Sequence, residues 1–280
     1  MTHNSTVPEK YFPKAKKSLG QHFLIRDDIC KHIAALLLPQ KNDRLIEIGP
    51  GPGALTRALE AQPHECLLLL EKDNYWAEVR QRSARLHTQT VLMDAMCFDW
   101  RRIQQGSPWK ITGNLPYNIA SPLIWDSLSL SAGWQRAVFM VQKEVGQRLA
   151  ASPGSKKYGA LSVWVQSFAK PQVEFIVRPG AFNPPPKVDS AVLSFTPLPV
   201  DKRPHFPAVL AKLLRVCFQQ RRKQLGGIFK RSNMPGLVEA LNHTRIDKDL
   251  RPEALTVMDF QRLALTWASM SKPISTIHPA

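Results

Sequence analysis

The 280-residue chain carries 38 Lys and Arg against 22 Asp and Glu, a formal charge of +16. That excess goes beyond what solubility requires and selects a polyanionic partner, nucleic acid ahead of an anionic membrane, since no run approaches the roughly 18 apolar residues of a span. Cys30, Cys66, Cys97 and Cys217 show neither CxxC pairing nor zinc spacing, and they read as buried thiols in a reducing compartment. The polar N-terminus lacks the apolar core of a secretion signal. The expectation is a cytoplasmic protein without a metal, built as one large domain plus a smaller one.

Residues 1–20, with Lys14, Lys16 and Lys17, read as a basic arm. Residues 18–24 contain enough apolar side chains to need a surface and are expected to fold back over a ligand site. Asp27 or Asp28 should cap an amphipathic helix through Leu38, which Pro39 ends. Then comes Leu45-Ile46-Glu47-Ile48-Gly49-Pro50-Gly51-Pro52-Gly53-Ala54, an apolar strand that breaks into glycines and resumes as a helix to about residue 61. Glycines there admit positive φ and let a ligand lie against the main chain. The spacing satisfies the dinucleotide fingerprint, so it does not separate a nicotinamide site from an S-adenosylmethionine site.

Two further apolar runs end in acid. Residues 66–71 form a continuous run closing on Glu71, which fits a strand buried on both faces. Glu71 lies where a fold of this kind places an acceptor for a ribose diol. Asp73 should cap a helix to about residue 86. Residues 90–95 repeat the pattern, and Asp94 is placed to accept from an exocyclic amine, or to serve only as a turn residue. A fourth strand from Trp109 ends in Asn114-Leu115-Pro116-Tyr117-Asn118. Ligands of open α/β sheets bind outside the carboxyl ends of the strands, so Gly49, Glu71, Asp94 and Asn114 should converge on one pocket.

Strands are expected at residues 136–141 and 173–177, and helices at 119–130, 142–151 and 159–169. Residues 179–187 are too proline-rich for either and should form a stiff loop, followed by an alternating, edge-like strand at 190–195. From about residue 200 the pattern turns helical, with segments at 210–223, 237–242 and 256–267. Gln219-Gln220-Arg221-Arg222-Lys223 is the most basic patch of this part, and the charge of the whole chain favours a phosphate-binding role for it over a merely solvated helix face.

The Asn114-Leu115-Pro116-Tyr117 tetrad is the most specific chemical signal. Methylating an amino group on a nucleobase requires acceptors that hold a poorly nucleophilic nitrogen in line with a sulfonium methyl. An Asn oxygen and a neighbouring backbone carbonyl supply them. Pro116 stiffens the turn, and Tyr117 offers a face on which a base can stack, worth about 1–3 kcal/mol. No metal or strong general base is needed, because the amine becomes acidic once alkylated.

With these residues in place, the chain resembles the ribosomal RNA adenine dimethyltransferases that modify the small subunit. The resemblance runs from residue 18 to about 195, and more loosely to the C-terminus. It rests on Leu19-Gly20-Gln21-His22-Phe23-Leu24, Glu47-Ile48-Gly49-Pro50-Gly51, the tetrad with Asn118, Gln142-Lys143-Glu144-Val145, Tyr158-Gly159, Phe182-Asn183-Pro184-Pro185-Pro186-Lys187-Val188-Asp189-Ser190 and Gln220-Arg221-Arg222-Lys223.

It implies a Rossmann-like class I S-adenosylmethionine-dependent methyltransferase domain at 21–200 and a small all-helical RNA-docking domain at 201–280. The implied reaction moves methyl groups from S-adenosylmethionine to two adjacent adenines near the 3′ end of small-subunit RNA, on the immature subunit; apart from the resemblance, a monomer is expected. Carried over by position, His22 and Leu24 line the cofactor pocket, Gly49 packs against the methionine part, Glu71 holds the ribose and Asp94 the adenine. Asn114 lies between cofactor and target amine, Tyr117 and Phe182 form the adenine slot, and Arg221, Arg222 and Lys223 contact RNA. Two departures stand out. His22 occupies a position where many members have Asn, and Gly226-Gly227 follow the basic patch.

Competing readings are an adenine-N6 methyltransferase for DNA or another RNA, since the tetrad reads the base and not the sugar, and a largely non-catalytic assembly factor held by its basic surface. A nicotinamide dehydrogenase would need a substrate acid/base pair, and none is evident.

Overall fold

The computed structural model describes residues 16, 20–104, 106 and 108–270. Most of the basic arm, including Lys14 and Lys17, and the residues after 270 lie outside them.

Seven strands form one sheet. In chain order these are β2 (Arg44–Ile48), β3 (Cys66–Glu71), β4 (Thr88–Leu92), β5 (Trp109–Asn114), β6 (Trp134–Gln142), β7 (Ala169–Val177) and β9 (Ser190–Pro197), and two short strands, β1 (Phe23–Leu24) and β8 (Phe182–Asn183), pair separately. The sheet order is β4-β3-β2-β5-β6-β9-β7. Strands β4 to β6 run parallel, and β9 is antiparallel to both its neighbours. The chain winds from β2 outward through β3 and β4, then returns to the other side of β2 with β5. The reversal opens a crevice at the carboxyl ends of β2 and β5.

Alternating side chains along each strand point to opposite faces, and the two faces build two cores. Leu45, Leu67, Leu69, Val138, Met140 and Val192 pack with α1 (Asp27–Leu36) and α2 (Ala54–Glu60). Ile46, Ile48, Ile111, Phe139, Leu193 and Phe195 pack on the opposite face with α4 (Ala120–Leu130) and α6 (Ala160–Gln166). The remaining helices are α3 (Asn74–Arg82), α5 (Lys143–Leu149), α7 (Pro207–Gln219), α8 (Leu225–Arg231), α9 (Leu237–Thr244) and α10 (Val257–Met270). Leu213, Phe229, Leu241 and Phe260 of the C-terminal helices join the second core without a break.

Several expectations need correction. The strand expected at the edge, β9, lies inside the sheet between β6 and β7, and its first six residues are buried. Small and apolar residues on both faces fit that interior place. The basic patch does not extend α7. That helix ends at Gln219, Arg221 to Lys223 form a turn, and Gly226 and Gly227 fall in the first turn of α8. Neither Asp27 nor Asp28 caps α1, whose N-cap is Arg26, whereas Asp73 does cap α3 by accepting from Tyr75 N–H at 3.1 Å. Helix α3 stops at Arg82, short of residue 86. The thiols of Cys30 and Cys217 are buried, but Cys66 is half-buried and Cys97 exposed. Among the described residues no helix is long and apolar enough to cross a membrane.

Candidate active site

Each strand tip delivers one functional group to the crevice, and one pocket is lined by Gly49, Glu71, Asp94, Asn114 and Tyr117 together with His22. The convergence expected from the sequence is therefore present. After β2 the chain turns through Gly49 at φ +67°, and a Cβ built there would meet no atom within 4 Å. The turn presents bare backbone to open pocket space, a surface on which a ligand can lie.

Glu71 closes β3 and is 6% exposed. Its Oε2 accepts from Gly51 N–H at 3.0 Å and its Oε1 from Asp73 N–H at 2.8 Å. Burial raises its pKa, opposed by those two backbone donors. An ionised carboxylate offers about four lone-pair sites, so each oxygen keeps one for a ligand hydroxyl. Asp94 lies beyond the end of β4 rather than inside the strand. Its Oδ1 accepts from Met96 N–H at 2.9 Å, which caps a short turn, and its Oδ2 pairs with Lys72 Nζ at 2.7 Å. The Lys72 hydrogen bond holds the carboxyl below its ordinary range. Turn residue and ligand acceptor are thus compatible roles for Asp94.

On the other side of the crevice β5 ends at Asn114, whose Nδ2 donates to the His22 carbonyl at 2.7 Å. That bond fixes the amide, and among the described residues no donor satisfies its Oδ1. The carbonyl of Pro116 is taken by Ile119 N–H at 3.1 Å and Ala120 N–H at 3.0 Å as α4 begins, whereas among the described residues no backbone donor meets the Leu115 carbonyl, the acceptor next in the chain to Asn114. Leu115 itself is buried and anchored through its N–H to Met140 O at 3.0 Å. The Tyr117 hydroxyl shares a hydrogen bond with Ser190 Oγ at 2.7 Å, and burial raises its pKa.

The N-terminal segment does fold back, as far as it is described. Phe23 pairs with Asn183 and Leu24 with Phe182 in the β1–β8 ladder, and Lys16 and Gln21 both bind the Asp73 carboxylate, at 2.9 and 3.0 Å. Leu24 and Phe182 do not line the pocket. They are 6% and 3% exposed and belong to the core behind it. The basic patch lies outside the pocket as well. Arg221 Nε is paired with Glu253 at 2.6 Å, whereas Arg222 and Lys223 are exposed.

Glu47 was not among the expected site residues. It is 2% exposed beneath the glycine turn, accepts from Thr56 Oγ1 at 2.6 Å, and burial pushes its pKa up to about 8. Its place among alternating strand residues gives no hint of burial, and only the fold reveals that α2 covers it. Among the described residues no His, Cys, Asp and Glu cluster could hold a metal.

A family model described as ribosomal RNA adenine dimethylase matches residues 12–268. The chain is 51% identical over 255 residues to the ribosomal RNA small subunit methyltransferase A of Oleidesulfovibrio alaskensis, covering 90% of this chain and 91% of that protein. It is 52% identical over 252 residues to the protein of the same name from Nitratidesulfovibrio vulgaris, with 87% and 93% covered. Among solved structures, a dimethyladenosine transferase from Plasmodium falciparum superposes with a TM-score of 0.77 at 26% identity, covering 89% of this chain and 98% of that one. The 23S rRNA methyltransferase ErmE shares the fold, with a TM-score of 0.64 at 20% identity over 88% of this chain and 99% of its own.

Proposed function

Because the chain belongs to the ribosomal RNA adenine dimethylase family, we propose that its pocket holds S-adenosylmethionine against an adenine of small-subunit RNA, and that the targets are two adjacent adenines near the 3′ end of that RNA in the immature subunit. The chain is an S-adenosylmethionine-dependent ribosomal RNA adenine dimethyltransferase. It acts as a monomer in the cytoplasm in this reading.

The residues present fit the cofactor. Gly49 leaves the main chain bare toward the pocket, Glu71 has a free acceptor site on each oxygen for a ribose diol, and Asp94 offers an ionised acceptor to an adenine amine. When bound, S-adenosylmethionine supplies an electrophilic sulfonium methyl. Asn114 Oδ1 and the Leu115 carbonyl accept the two N–H bonds of the target amine, which turns the nitrogen lone pair away from its own ring and toward the methyl. Tyr117 supports the base by stacking, its ring held by the Ser190 bond. The proton shed by the alkylated nitrogen needs no strong base. Leu24 and Phe182 act from behind by fixing the segment over the pocket, while Arg222 and Lys223 are free to meet phosphates.

The single observation that carries this reading is the fixed Asn114 amide, with Nδ2 spent on His22 O and Oδ1 left for the substrate. The test is methyl transfer from labelled S-adenosylmethionine to immature small subunits, naked small-subunit RNA and duplex DNA, with the modified base identified by mass spectrometry. N6,N6-dimethyladenine confined to the subunit or its RNA supports the reading. Label on DNA alone overturns the target, and cofactor binding without transfer to any of the three favours a binding factor.

A further inference from the structure

His22 joins three parts of the site that no other described residue connects. Its backbone carbonyl accepts from Asn114 Nδ2 at 2.7 Å. Its Nδ1 lies 2.8 Å from the Pro184 carbonyl oxygen. Its ring stacks on Tyr117, with centroids 5.6 Å apart and planes 26° from parallel, within the 4.5–7 Å range of favourable ring pairs. A carbonyl only accepts, so Nδ1 carries the proton in this bond, and the tautomer is assigned from that partner.

Those contacts continue a ladder. Phe23 and Leu24 pair with Asn183 and Phe182, and His22 extends the attachment one residue further, to Pro184. The proline loop then leads through Asp189, which is held by Lys143 Nζ at 3.1 Å, to Ser190, the partner of the Tyr117 hydroxyl. Tyr117 is thereby gripped at its hydroxyl from one end of this loop and at its ring face by a residue tied to the other end.

We propose that the His22 side chain is a positioning residue for the target base, acting through Tyr117 and the proline loop. The inference rests on the reading of Tyr117 as the stacking surface given above. The role needs two properties in one side chain, an N–H donor aimed at Pro184 O and a flat face against Tyr117. Asparagine supplies the first without the second, and phenylalanine the second without the first, so the two are separable by substitution. The carbonyl that anchors Asn114 belongs to the backbone and survives every replacement.

The experiment compares His22→Ala, His22→Asn and His22→Phe with the wild type for steady-state methylation of small-subunit RNA and for S-adenosylhomocysteine binding by calorimetry. For His22→Ala, kcat should fall about tenfold while KM for S-adenosylmethionine and Kd for S-adenosylhomocysteine stay within about twofold, because a displaced base costs rate rather than cofactor affinity. His22→Asn and His22→Phe should each recover part of the loss. A selective rise in Kd for S-adenosylhomocysteine with kcat retained would overturn the inference, as would wild-type kcat in His22→Ala. The contact is also read without turnover, in the NMR spectrum of histidine-labelled protein. The His22 ring proton between the two nitrogens should carry an upfield ring-current shift that disappears in Tyr117→Leu, and its absence from the wild type would equally count against the proposal. Failure of the functional reading shows in the wild type, as no transfer to RNA, whereas failure of this inference shows with the wild type active.

Discussion

Gly51 N–H donates to Glu71 Oε2 at 3.0 Å, so the glycine turn and the acidic tip of the neighbouring strand are bound into one unit. The carboxylate proposed to receive the ribose thus also fixes the glycine turn beside the pocket. Replacing Glu71 by Ala removes both functions, and replacing it by Gln leaves oxygen at only one of the two positions. Hydrogen bonds to charged groups contribute about 1.5–3 kcal/mol each. Glu71→Ala should therefore weaken S-adenosylhomocysteine binding by at least about tenfold in calorimetry, with Glu71→Gln in between. Unchanged affinity in Glu71→Ala would remove Glu71 from the cofactor site.

Gly53, at the last position of the turn, has φ +82°, and an added Cβ would lie 1.9 Å from Arg80 Nη1. Arg80 is itself only 9% exposed and has little room to retreat. The left-handed backbone alone costs a side chain about 1–2 kcal/mol, and displacing a buried guanidinium adds to it. Gly53→Ala should lose about 2–4 kcal/mol in urea unfolding; a loss of only about 1–2 kcal/mol would show that Arg80 moves freely, and a variant as stable as the wild type would contradict the backbone strain as well.

The raised pKa of Glu47 has a consequence for stability. Its ordinary value is 4.5 and burial pushes it up to about 8, so between these values the folded chain keeps a proton that the unfolded chain has released. Stability from this group is complete below about pH 4.5 and is lost as pH rises through about 8. Glu47→Gln mimics the protonated form at every pH. Its melting temperature should decline less than that of the wild type between about pH 5 and pH 8, the window in which the folded chain holds the extra proton. Parallel declines would mean that Glu47 is ionised in the folded chain throughout.

The basic turn divides into two kinds of residue. Arg221 is held by Glu253 at 2.6 Å and reaches the Ser155 carbonyl at 3.5 Å, which ties α7 to neighbouring loops, whereas Arg222 and Lys223 point to solvent. Replacing Arg222 and Lys223 together with Ala should lower the slope of log affinity for RNA against log salt by about 1–2, one for each phosphate no longer neutralised. Arg221→Ala should instead appear mainly as a lower melting temperature. An unchanged salt slope in the double variant would place the phosphates elsewhere.

How much of this was legible before the structure depends on distance along the chain. The tips of β2, β3 and β5 were readable because an apolar run that ends in glycine, acid or Asn-Leu-Pro-Tyr is a local signal, and a parallel sheet gathers such ends at one edge. Asp94 was readable for the same reason, although its strand ends at Leu92 and the acid follows in a turn. The pairing of β1 with β8 was not, since two strands of two residues each, about 160 positions apart, leave no periodicity. Neither were the Pro184 and Tyr117 contacts of His22, which depend on that pairing. The burial of Phe182 behind the pocket, the interior place of β9 and the ion pair of Arg221 with Glu253 are likewise decided by what packs against them. Local propensity also misplaced the end of α7, because Arg221 to Lys223 suit a helix and only tertiary contacts turn the chain there.

The most direct test of the division of labour in the pocket is one assay on three proteins. Wild type, Asn114→Ala and Glu71→Ala are given labelled S-adenosylmethionine at saturation with immature small subunits, the product nucleosides are resolved by mass spectrometry, and S-adenosylhomocysteine binding is measured in parallel. The account predicts N6,N6-dimethyladenine from the wild type, none from Asn114→Ala despite near-normal binding, and a loss in Glu71→Ala that tracks its weakened binding. Dimethyladenine from Asn114→Ala at the wild-type rate, or equal loss of binding in both variants, would contradict it.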